Sequence, residues 1–173
     1  MQQNAAAWKL LTSEQRAGWD QLGALMTRTD SLGQTYTLSG AQAYQSVNNT
    51  RQAAGDAVVS DAPALATPDP VAFGAITLTA ATHTIAYTPT PLGAGERLFC
   101  YASKQTSPGK SYMSDLKLIH VSAAAAASPA DIETAYNARC GVPVVGNRVF
   151  YSLCRYAGGF LSTPVNTSAV VSA

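Results

Sequence analysis

The 173 residues are 47% hydrophobic but only 12% charged, with a formal net charge of +1. That apolar content is enough for a buried core and excludes a disordered chain. The near-neutral balance excludes the basic field that gathers nucleic acid. The charged share is about half the usual ~25%, and the polar positions are held mainly by Ser, Thr, Asn and Gln. Such a surface suits a chain covered by neighbours in an assembly better than one free in solution.

The first third reads as helical. Thr12-Ser13-Glu14-Gln15 has the form of a capping box. Trp19, Leu22 and Met26 then recur at three- and four-residue spacing, which predicts a helix. Trp8 and Leu11 precede the cap and are placed to staple its first turn. Gly18 and Gly23 each cost this helix about 1 kcal/mol against Ala, so it must lean on a partner surface. Residues 29–34 are turn-rich, and 34–38 form a short extended piece. Ser39 with Gln42 caps a second helix over 41–54, which Gly55 closes. Tyr44, Val47 and Arg51 share one of its faces. The two helices are expected to pack as a hairpin around Trp8, Trp19 and Tyr44, giving a helical anchoring module over 1–61. Pro63, Pro68 and Pro70 make 62–70 an extended linker.

The remainder, 71–173, reads as strands. Residues 75–79 and 82–88 alternate apolar and polar, with His83, Ile85 and Tyr87 on one face. Pro89, Pro91, Gly93 and Gly95 mark a turn. The nearly continuous apolar run 97–102 predicts a central strand. Further strands follow at 116–121, 148–156 and 165–171. A helix is expected near 129–139, with Ser128 as its cap, Pro129 in its first turn and Gly141 after its last. Short strands separated by Pro/Gly turns predict an antiparallel β-sandwich. The expected fold class is therefore mainly β, with a two-helix hairpin in front.

Residues that carry chemistry are sparse. His83 and His120 are isolated, and neither stands in a nucleophile context. The ten acidic residues lie mostly beside turns and helix starts, where caps and solvation account for them. Gly93-Ala94-Gly95 lacks the lysine and helix of a phosphate loop. Cys100, Cys140 and Cys154 are an odd set among apolar neighbours, which predicts reduced, packed thiols. A Cys100–Cys154 bridge requires their strands to be neighbours. No catalytic, cofactor or metal residue is assigned, and a non-enzymatic chain is expected. The candidate interface residues are Trp8, Leu11, Trp19, Leu22, Tyr44 and Val47, since buried aromatics anchor many interfaces. No segment reaches the roughly 20 apolar residues of a membrane span. Residues 1–5 lack the features of a secretory signal, so synthesis and retention in the host cytoplasm are expected unless an assembly carries the chain out.

Two stretches resemble known families. Residues 8–19, with Trp8, Leu11, Thr12, Gln15, Arg16 and Trp19, followed by Leu38-Ser39-Gly40-Ala41-Gln42-Ala43-Tyr44 and Asn48, resemble a small module of bacteriophage and prophage proteins. Residues 146–151 and 168–171 resemble the last two strands of a fibronectin-type-III-like or immunoglobulin-like domain. A helix before Gly141 departs from the plain fibronectin pattern. The resemblance implies a virion component, such as a capsid decoration or a head or tail accessory protein. It would dock on the major structural protein and on copies of itself, with no nucleic acid or membrane partner. The alternative is an adhesin-like or glycan-binding module.

Overall fold

The computed structural model describes residues 2–173, with Gln2 and Gln3 by backbone alone. It divides into two units. The first holds the chain up to Thr67 together with Gly158–Phe160, and the second holds Pro68–Ala157 and Leu161–Ala173.

The first unit contains helices α1 (Gln2–Leu10), α2 (Ser13–Leu25) and α3 (Gly40–Ala54), with strands β1 (Thr27–Thr29) and β2 (Thr35–Thr37) between α2 and α3. Both expected capping boxes form. The Thr12 hydroxyl accepts from the Gln15 amide at 3.2 Å, and the Gln15 side chain accepts from the Thr12 amide at 3.0 Å. Ser39 and Gln42 repeat the arrangement at α3. Gly55 ends α3 at φ 80°, in the left-handed region that glycine adopts without a steric penalty. The core of this unit comprises Leu11, Trp19, Leu22, Ala43, Tyr44, Val47 and Phe160. Trp19 meets Tyr44 edge-on with ring centroids 5.1 Å apart, a favoured aromatic geometry.

The expected two-helix hairpin is corrected to three helices and a β-hairpin. Helix α1 carries no apolar stripe to announce it. It is joined to α3 by amides as well as by the Trp8 ring, 5.6 Å from that of Tyr44: buried Asn4 donates to Asn49 at 2.8 Å and to Gln52 at 3.1 Å.

In the second unit, β3 (Ala72–Leu78), β4 (His83–Thr88) and β7 (Ala130–Asp131) form a three-stranded antiparallel sheet. A five-stranded antiparallel sheet runs β10 (Val165–Val170), β8 (Arg148–Ala157), β5 (Arg97–Ala102), β6 (Lys117–Val121), with β9 (Phe160–Leu161) paired to β8. Strands β5 and β8 are central, which accounts for their being buried along most of their length on both faces. Leu78, Ile85 and Tyr87 of the smaller sheet share one core with Leu98, Cys100, Val149, Tyr151 and Leu153 of the larger. The content is thus mixed: four helices among the described residues, with antiparallel sheets and no closed barrel.

Helix α4 (Glu133–Cys140) begins later than the cap signal predicts. Ala130–Asp131 pairs with β4 instead of entering the helix. The Ser128 hydroxyl accepts from the Tyr87 amide at 2.9 Å, and Ile132, at the N-cap, makes no side-chain cap bond. A sheet edge in need of an acceptor has taken the residue that local sequence assigns to the helix. Gly141 ends the helix, as its position predicts.

Candidate functional site

The six predicted interface residues lie together, but mostly inside. Leu11, Trp19, Leu22, Tyr44 and Val47 are buried in the core of the first unit, and Trp8 packs against it half-buried. The Trp19 indole donates to the Ser60 carbonyl at 2.7 Å, so its polar edge is satisfied within the chain. These side chains hold the unit together; they offer little surface to a partner.

The predicted chemical groups are also built into the structure. His83 is fully buried, with Nε2 2.6 Å from the Tyr151 hydroxyl and its ring edge-on to Tyr136 at 4.6 Å. Burial pulls its pKa down from 6.5 to about 4, partly opposed by the nearby Asp131 carboxylate. Desolvation likewise lowers the pKa of half-buried His120. All three cysteines are free thiols. Cys100 stands opposite Leu153, while Cys154 stands opposite Phe99. Their strands are therefore neighbours, but successive positions point to opposite faces, and only Cys100 belongs to the core between the sheets. Burial pushes its thiol pKa up to about 12, which makes it inert as a nucleophile. Among the described residues no group of three or more His, Cys, Asp or Glu is placed to hold a metal ion. No helix among them is long and apolar enough to cross a membrane.

What faces outward is the hairpin between α2 and α3. All six residues of β1 and β2 are exposed. Thr27 pairs with Thr37 and Thr29 with Thr35, so one face of the ribbon is threonine alone, while Arg28 and Tyr36 pair on the other. Threonine is β-branched and favours the extended strand. The tip is tightly bonded: the Asp30 carboxylate accepts from the Leu32 amide at 2.8 Å and from the Gln34 amide at 2.9 Å, and the Asp30 amide donates to the Gln34 carbonyl at 2.9 Å. At the base, the Leu38 amide donates to the Gly23 and Met26 carbonyls, both at 3.2 Å. Leu32 at the tip is 82% exposed and Tyr36 47%.

An isolated two-stranded ribbon is marginally stable in water. Here the Asp30 turn and the α2 carboxyl end hold it in shape without burying either face. One exposed leucine would need no explanation. The ribbon presents unpaired strand edges together with the exposed side chains of Leu32 and Tyr36. The second strand falls within the extended piece expected over 34–38, while its partner Thr27–Thr29 is too short to read as a strand from the sequence. No protein-family model matches the chain, and no curated protein or solved structure matches it either.

Proposed function

We propose that this chain is a non-enzymatic structural component of a bacteriophage particle. The particle would be its place of residence, and a capsid decoration or a head or tail accessory role its task. In this reading the second unit is an antiparallel β-sandwich of the fibronectin-III or immunoglobulin-like kind, and the helical unit docks on the major structural protein. The phage-module resemblance of residues 8–48 and the weakly charged surface support it. The observation that carries it is the exposed ribbon of β1 and β2, which takes over the docking role from the buried aromatic residues.

A few residues carry most of an interface's binding energy, tyrosine prominent among them, and the loss of such an anchor costs about 2 kcal/mol or more, a factor of roughly 30. The full chain is expected to co-sediment with the particle fraction of its source. The double variant Leu32→Asp/Tyr36→Asp should lose that binding by at least tenfold while keeping its melting temperature, because both side chains are exposed. Equal binding by the variant would place docking elsewhere, and a lone monomer that ignores particles would remove the virion reading itself.

A further inference from the structure

The segment between β5 and β6 folds over a cavity of about 280 Å³, lined by Ser103, Lys104, Thr106, Lys110, Ser114, Asp115 and Lys117. Three lysines line it against the single carboxylate of Asp115. That leaves the wall at +2 in a chain whose whole net charge is +1. One further cation stands close: the Arg148 guanidinium donates to the Lys110 carbonyl at 3.0 Å. In a chain this poor in charge, like charges gathered around a concavity repel one another unless an anion joins them.

Lysine ammonium groups are usually solvated and spread apart. Lys110 is half-buried and held: its Nζ donates to the Ser114 hydroxyl at 2.8 Å and lies 4.6 Å from the centre of the Tyr112 ring. Ser103 forms a fixed floor, its hydroxyl accepting from the Phe150 amide at 3.1 Å. Asp115 holds φ at 53°, a left-handed turn conformation that aspartate adopts more readily than most residues.

We infer that this cavity is a binding site for a phosphate ester. The +2 wall matches a phosphate dianion, which a monoester approaches at neutral pH. The lysines and the Ser114 hydroxyl are the donors that suit its oxygens; the Ser103 and Thr106 hydroxyls give their protons to the Lys104 and Arg148 carbonyls. The cavity lies at or just below the roughly 300–1,000 Å³ of drug-sized pockets, so the ligand is a small phosphorylated, hydroxylated group of monosaccharide size. The site lies wholly in the second unit and does not depend on the docking role of the hairpin.

The test is amide NMR on the full chain, titrated at constant ionic strength with inorganic phosphate, glucose 6-phosphate and uncharged glucose. Phosphate and its ester should give saturable shifts of the amides between Ser103 and Lys117, and glucose none. Lys104→Gln/Lys117→Gln removes two exposed ammonium groups. It should weaken binding about tenfold, with the melting temperature unchanged. Tighter binding of the ester than of inorganic phosphate would show that the sugar is also contacted, and equal binding that the phosphoryl group alone is read; both support the site. Shifts that never saturate, that glucose reproduces, or that persist unchanged in the double variant would overturn it.

Discussion

Asn48 and His83 are both buried polar side chains, and the fold treats them in opposite ways. Asn48 is fully paired where it matters. Its Nδ2 donates to the Val59 carbonyl at 3.1 Å and its Oδ1 accepts from the Val59 amide at 2.9 Å. It thereby stands in for a strand and fastens the segment after α3 across that helix. His83 has one partner, Tyr151, while its Nδ1 meets none, and burial disfavours the charged imidazolium despite Asp131. The pH dependence follows from that. Above about pH 6.5 His83 is neutral in both the folded and the unfolded chain and contributes no slope. As pH falls from there to about 4, the unfolded chain takes up a proton that the native chain refuses. Stability should therefore decline over this window, by about 3 kcal/mol from this residue, and level off below it. Urea midpoints measured across that range should trace the decline, and His83→Gln should flatten it. His120, shifted the same way, would leave a residual slope.

At the scale of elements, what was legible in the sequence was what is local. Thr12 with Gln15 and Ser39 with Gln42 announce their helices because a capping box closes within four residues. The strands β4, β5 and β8 are legible because alternation or a largely apolar run records how each is buried. Helix α1 was not legible, because Asn4 docks it through side-chain amide hydrogen bonds to residues 45 and 48 positions away. Nor was the role of Ser128, whose partner lies 41 residues back on β4. That role can be tested. Ser128→Ala should destabilise the chain by about 1 kcal/mol, since the part-buried Tyr87 amide loses its acceptor. It should leave the helicity of α4 unchanged, because Ser128 does not cap that helix. Denaturant unfolding gives the first quantity, and chemical shifts of Glu133–Cys140 give the second. Fraying of α4 in this variant would restore the cap assignment.

Of the candidate site, the sequence supplied the right residues for a different task. Trp19, Leu22, Tyr44 and Val47 were legible as a cluster by helical spacing, but spacing alone does not say whether a cluster faces a partner or its own core. The answer came from Phe160, which joins that cluster from the far end of the chain. Its weight is measurable at the scale of the whole molecule. Both tryptophans, Trp8 and Trp19, lie in the first unit, so tryptophan fluorescence reports on that unit. Phe160→Ala should lower its stability by about 3–5 kcal/mol, the cost of emptying a buried phenylalanine site. An unchanged fluorescence midpoint would show that the cluster is complete without it. Gly159, beside it, has φ 109°, and a Cβ there would stand 2.6 Å from the Val47 Cγ1 atom, so the backbone passes α3 where only glycine fits. The Arg51 guanidinium donates to the Gly158 carbonyl at 3.3 Å on the same stretch. This has a consequence for the order of events on the ribosome. Translation proceeds at about 5–20 residues per second, and the helices made first must wait for the stretch at Gly158, 107 residues after Arg51, before their core can close.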